Sequence, residues 1–231
     1  MKIAILNLCH TEPEIVARVA KKLTQNENID MYVHVDLKSN IEPFHTVLSD
    51  LNRVYFIKER VKLYWGGFNA VRATIAMLKQ ALQSQRNYCY FVILQNYDYP
   101  TRTNDQIIQF FQEHKGKEFI RGCNIARVKD WHYSKKYKIY NKRDDDFYLK
   151  KHSKPRMLLR YSHMLLKSVG TIFSNGVLNE NGQKYDLFYG AAQWAVTREL
   201  AEYFVEFYDT HPKFNAVWSI SSFPMRSTFT Q

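Results

Sequence analysis

This sequence predicts an α/β fold built on a mixed, mostly parallel sheet flanked by helices, and three observations predict it. Short β-branched and aromatic runs alternate with amphipathic stretches through the first half of the chain. The run at 88–94 is continuously apolar, the pattern of a parallel strand buried on both faces. Two acids, Asp36 and Asp98, stand at or just beyond the ends of apolar runs, where open α/β sheets hold their ligands.

In chain order, residues 2–8 form a strand and 12–23 an amphipathic helix that Thr11 can cap. Ile29–Val35 is the next strand and Val54–Phe56 a third, short one. Residues 69–82 form a helix with Val71, Ile75, Leu78 and Leu82 on one face. The strand at 88–94 follows, then a helix at 105–114 capped by Thr103 or Asn104. The pattern weakens from 135 to about 183, where 156–169 reads as a helix between loops. Strand character returns at 185–189 and 193–197, and a helix is expected at 198–208.

A chain of 231 residues buries one sizeable core, so one domain with an inserted lobe is expected. No apolar run reaches the roughly 18 residues of a membrane span. The apolar opening is too short for a signal peptide and has no small-residue cleavage site. Cys9, Cys89 and Cys123 lack the spacing of a zinc site or a disulfide framework, so a reducing cytoplasm is the simpler setting. The net charge of +11 is concentrated at 134–167, where 11 Lys/Arg face Asp144, Asp145 and Asp146. That segment reads as a solvated basic lobe or as a contact for an anionic membrane surface. Nucleic acid is not expected, because no helix-turn-helix, zinc-finger or RNA-binding signature accompanies the charge.

Four motifs carry the chemistry. Asp36 in His34-Val35-Asp36 can accept hydrogen bonds from a base or ribose, or simply fix a turn. In Leu63-Tyr64-Trp65-Gly66-Gly67 the glycines allow close backbone approach and Trp65 offers a stacking face; a tight turn around a buried Trp is the alternative. Asp98-Tyr99-Pro100, followed by Arg102-Thr103-Asn104, places a carboxylate for sugar hydroxyls or for the turn before Pro100. Gln193-Trp194 follows the small residues Gly190, Ala191 and Ala192, which leave room for a substrate. His10 reads as structural. Asp144-Asp145-Asp146 is not read as a metal site, since it lies in a lysine-rich loop and not at the end of an apolar strand.

In order and spacing these motifs resemble the core-2/I-branching N-acetylglucosaminyltransferases and peptide O-xylosyltransferases, one family (glycosyltransferase family 14) of inverting glycosyltransferases. The resemblance runs from Met1 to about Thr210. It implies a GT-A-like fold and transfer of an N-acetylglucosamine- or xylose-class sugar from a UDP-sugar donor to a glycan, lipid-linked glycan or other hydroxyl. It further implies nucleotide-sugar contacts by Leu8, Asp36, Leu63, Tyr64, Trp65, Gln193 and Trp194, with Asp98 on the acceptor side and no metal or other cofactor. Gln193 stands where the xylosyltransferase branch has Asp, keeping hydrogen bonding and losing the charge. A cytoplasmic enzyme, peripheral at the inner face of a membrane, is the expected setting.

Inverting transfer needs a base for the acceptor hydroxyl and positive charge for the leaving UDP. The resemblance implies a Glu in Pro-Asp-Glu or Pro-Ala-Glu shortly after the helix at 198–208. No acid follows Asp209, and no catalytic residue is assigned. Phe223 to Gln231 can be encoded by TTC CCG ATG AGA TCT ACT TTC ACA CAR. Two bases later that string reads Pro-Asp-Glu-Ile-Tyr-Phe-His-Thr. Residues 211–231 are therefore expected to be an out-of-frame tail, with the frame changing between about 214 and 222, and the chain as written to be inactive. A non-catalytic remnant that binds nucleotide sugar or glycan is the alternative, and a basic membrane-binding module the third.

Overall fold

The structure, a computed structural model, describes residues 1–64, 66–124 and 188–219, with Arg127, Leu158, Tyr161, Ser162 and Leu165 besides. Its strands are β1 (Ile3–Cys9), β2 (Ile29–Val35), β3 (Val54–Phe56), β4 (Tyr90–Gln95), β5 (Gly122–Asn124), β6 (Phe188–Gly190) and β7 (Ala195–Thr197). The helices are α1 (Pro13–Leu23), α2 (Glu42–Leu48), α3 (Asn69–Gln83), α4 (Asn104–Glu113), α5 (Arg198–Thr210) and α6 (Pro212–Ser219). Two compact units divide the chain. The first comprises Met1–Lys62, Arg72–Ile120 and Gln193–Phe207; the second comprises Leu63–Val71, Arg121–Ala192 and Tyr208–Gln231.

The first unit holds a five-stranded sheet in the order β3-β2-β1-β4-β7. The first four strands are parallel, and β7 runs antiparallel to β4. This is the mixed, mostly parallel α/β sheet the alternation of runs predicts. All seven residues of β1 and of β2 are buried; β1 is apolar apart from Asn7, whereas β2 alternates Ile29, Met31, Val33 and Val35 with Asp30, Tyr32 and His34. On one face Ile3, Ile5, Met31, Val33 and Val35 share a core with Val16, Val19, Ala20 and Leu23 of α1 and Phe44 and Leu48 of α2. Burying each such side chain is worth about 1.5–3 kcal/mol. In the second unit β5 and β6 pair antiparallel, and the rings of Phe68 and Tyr208 stack at 6.4 Å.

Two capping expectations resolve differently. Thr11 does not cap α1: the N-cap is Glu12, left-handed at φ 53, without a side-chain cap bond, and Pro13 supplies the preset φ of the first turn. Thr103 does cap α4, in a reciprocal capping box with Gln106. Asn104 instead donates its side-chain amide to the carbonyls of Lys22 and Leu23, tying α4 to the end of α1. The fourth strand begins at Tyr90 rather than 88.

Helices α2 and α6 and strand β5 had no counterpart in the sequence reading. Of the helix expected at 156–169, Leu158, Tyr161, Ser162 and Leu165 are described and are helical. The basic segment at 134–157, the Asp144-Asp145-Asp146 run, Trp65 and the tail from 220 lie outside the described residues. Among the described residues no helix is long and apolar enough to cross a membrane.

Tyr88 is taken up by a polar knot at the opposite end of the sheet from Asp36. Asp30 is fully buried, and its carboxylate accepts from Arg86 Nη1 at 2.9 and 3.0 Å and from the Tyr88 hydroxyl at 2.6 Å. The Tyr32 hydroxyl lies 3.0 Å from that of Tyr88. A carboxylate can be buried here because it is ion-paired and hydrogen-bonded on every side that is recorded. Asp30→Ala is expected to lower stability by about 2 kcal/mol, since half-exposed Arg86 can find water but Tyr88 loses its acceptor. The readout is the urea midpoint at constant m-value; an unchanged midpoint would contradict the role given to the knot.

Candidate functional site

Sheet topology decides which loops meet. Strands β2, β1 and β4 are neighbours and parallel, with Leu8 level with His34 on one side and with Gln95 on the other. Their carboxyl ends therefore form one edge. Strand β7 enters from that same edge, because it is antiparallel: Ala195 lies opposite Val92, and the Trp194 carbonyl accepts from Ile93 N–H at 3.1 Å. The loop at 10–12, Asp36, Asp98 and Gln193 are thus brought to one margin of the first unit.

Asp36 is buried at this margin. Its N–H donates to the Cys9 carbonyl at 2.8 Å, extending the ladder past β2. Its Oδ1 accepts from Lys38 N–H at 2.9 Å, and Lys38 Nζ lies 3.3 Å from Oδ2. The turn role foreseen as an alternative is therefore real, and it leaves a carboxylate at the strand end. Asp98 behaves likewise: half-buried, it accepts from Gln95 N–H at 2.8 Å through Oδ2.

Side chains from neighbouring loops lace this margin together. Asn96, 4% exposed, accepts through Oδ1 from His10 N–H at 2.9 Å and Thr11 N–H at 3.2 Å. Ser39 donates its hydroxyl to the His10 carbonyl at 2.6 Å, and the hydroxyls of Thr11 and Tyr97 lie 3.0 Å apart. Arg60 reaches over the end of β2, donating from Nε to Val35 O at 2.9 Å and from Nη2 to Asp36 O and Ser39 O at 2.8 Å each. Next to it, Val61 N–H donates to His34 Nε2 at 3.0 Å and the Val61 carbonyl accepts from Leu37 N–H at 3.1 Å. Neither Arg60 nor Asn96 was singled out in the sequence. An Arg shortly before the Trp-Gly-Gly run was the only available signal, and Asn96 offered none.

The remaining expected site residues are placed less uniformly. Leu8 is buried in the wall of β1. Gln193 is exposed, whereas the half-buried Trp194 presents its ring edge-on to Phe204 of α5 at 6.1 Å and so helps to pack that helix. Leu63 and Tyr64 belong to the second unit and are half-buried. The Tyr64 carbonyl accepts from Gly67 N–H at 2.9 Å, closing a turn that needs φ 70 at Gly66. That is the tight turn foreseen for this motif. The described residues contain no group of three or more His, Cys, Asp or Glu side chains able to hold a metal ion. Burial pushes the Cys9 thiol up to about 12, which makes it a packing residue and not a nucleophile.

The family model of the Core-2/I-Branching enzymes matches residues 10–221. The chain belongs to the Core-2/I-Branching enzyme family. Among curated members, xylosyltransferase 2 of Rattus norvegicus is 26% identical over 124 residues, 52% of this chain and 14% of that protein. Xylosyltransferase 2 of Bos taurus is 30% identical over 95 residues, covering 39% and 11% respectively. Xylosyltransferase oxt of Drosophila melanogaster is 24% identical over 109 residues, covering 46% and 12%. The chain thus spans a small fraction, 11% to 14%, of these relatives' length. The Core-2/I-Branching match ends at residue 221 and includes α6.

His34 gives this margin a pH limit. Burial lowers its pKa from 6.5 to about 4, and Nε2 must stay unprotonated to accept from Val61. Because the folded pKa lies below the unfolded one, the unfolded chain binds the proton first, and stability falls as pH drops from about 6.5 to about 4. The loss amounts to about 3 kcal/mol. Denaturation midpoints measured across that window should fall in the wild type and fall less in His34→Gln, whose amide oxygen can still accept from Val61. Equal slopes would contradict this.

Proposed function

We propose that this chain is the nucleotide-sugar-binding part of an inverting glycosyltransferase. Its donor is a UDP-sugar of the N-acetylglucosamine or xylose class, and its acceptor a hydroxyl of a glycan or lipid-linked glycan. The single observation that carries the reading is Asp36: a carboxylate at the ligand edge of a parallel sheet, in a member of the Core-2/I-Branching family.

Its carboxylate accepts hydrogen bonds from the uracil N–H or the ribose hydroxyls. The same carboxylate lies 3.3 Å from the partly exposed Lys38 ammonium. Leu8, buried in the wall of β1, is a further nucleotide contact that the family resemblance implies at this edge. Gln193 and Trp194 serve the donor sugar, and Asp98 the acceptor. Transfer proceeds without a metal, as the family resemblance implies, with basic side chains neutralising the leaving diphosphate. The basic segment at 134–167 brings the protein to an anionic membrane surface on its cytoplasmic side. The name xylosyltransferase borne by the curated relatives favours xylose, while Gln193 in place of Asp leaves the donor sugar to experiment.

Titration calorimetry with UDP, in the presence of EDTA, tests the reading. Asp36→Asn keeps an oxygen for Lys38 N–H, and so the turn, while removing the charge. The expected result is UDP binding that survives EDTA and weakens about tenfold or more in Asp36→Asn. No binding by the wild type, or equal affinity in the variant, would sink the proposal. A transfer assay with UDP-N-acetylglucosamine and UDP-xylose then separates an enzyme from a binding-only remnant.

A further inference from the structure

Arg60 donates to three carbonyl oxygens, each in a different peptide group, and all three lie in the five residues 35–39 that close β2. Val35 closes β2, and the carbonyls of Asp36 and Ser39 lie in the turn beyond it, where Asp36 O also accepts from Ser39 N–H at 2.9 Å. A guanidinium can serve them together because its planar fork projects several N–H groups at fixed angles; an ammonium cannot reproduce that geometry. With Nε and Nη2 occupied at 2.8–2.9 Å, this side chain cannot turn to a phosphate without releasing the loop.

The neighbouring Val61 adds two further bonds to the same loop, through His34 Nε2 and Leu37 N–H. Five hydrogen bonds from two consecutive residues therefore hold 34–39. The Asp36 carboxylate takes its direction from that loop, since its Oδ1 is oriented by Lys38 N–H and its backbone carbonyl by Arg60. Ser39, whose carbonyl Arg60 also holds, passes the order on to the His10 carbonyl through its hydroxyl.

We infer that Arg60 is a positioning residue for nucleotide recognition: it acts through Asp36, presetting the loop that carries the carboxylate, and does not contact the ligand itself. The inference rests on the UDP reading given above. Preorganisation of this kind raises affinity by removing the ordering that binding would otherwise require.

A double-mutant cycle with UDP as the titrant tests it, using Arg60→Gln, Asp36→Asn and the pair. Each protein is first shown to be folded by its urea midpoint. Arg60→Gln alone should weaken UDP binding about tenfold, and the double variant should bind no more weakly than Asp36→Asn. A residue that merely stabilises the fold would give losses that add. Arg60→Lys, which keeps the charge but not the fork, repeats the test should the Gln variant fail to fold, and the same non-additivity is expected at smaller size. Additive losses, or unchanged affinity in the Arg60 variants while Asp36→Asn is weakened, would overturn this inference alone. Absence of UDP binding by the wild type would overturn it together with the proposed function.

Discussion

The parallel register of β2, β1 and β4 is the constraint on which the ligand edge depends. Strands β1 and β4, apolar over most of both faces, define their register poorly by pattern, because a slip exchanges one apolar residue for another. Here the ends of the strands supply what the pattern lacks. Ile3 N–H donates to Asn28 O, Cys89 N–H to Lys2 O, and Asp36 N–H to Cys9 O, each at 2.8 Å. These bonds fix β2 against β1 at both ends and β4 against β1 at its start. Moving any one strand by a residue would carry Asp36 or Asp98 away from the loop at 10–12 and break the lacing that joins them.

The two ends of the sheet solve opposite problems. At one end the Asp30 carboxylate is closed off by Arg86 and Tyr88, so its charge is consumed in holding the fold. At the other, Asp36 and Asp98 accept from backbone N–H groups of their own loops, which orients each carboxylate. Buried His34 and Asn96 lie beneath the second end, and each has one polar nitrogen without a hydrogen-bond partner among the described residues.

Much of the fold was legible because burial leaves a direct trace in composition. Strands β2 and β3 coincide with their predicted limits, and the apolar face of α3 was read from spacing. What failed depends on contacts distant in sequence. Thr11 looks like a cap, yet Asn96 and Tyr97, some 85 residues away, claim its backbone and hydroxyl. Asn104 looks equally suited to capping and instead binds the end of α1. For Asp36 the sequence could not separate turn from ligand contact, and the geometry shows why: one carboxylate oxygen serves the turn while the group as a whole stays at the ligand edge. Arg60 was invisible, because its three acceptors are backbone carbonyls that no side-chain pattern encodes.

In the proposed reading, the sheet edge that gathers Asp36, Asp98 and Gln193 and the nucleotide contacts that the family resemblance implies converge on one UDP site. The most direct test of that convergence is a UDP titration followed by backbone amide chemical shifts. The account predicts that the largest changes fall at 8–11, 34–39 and 60–61, with none at Asp30, Arg86 or Tyr88. Changes centred on the Asp30 end of the sheet, or no changes at saturating UDP, would contradict it.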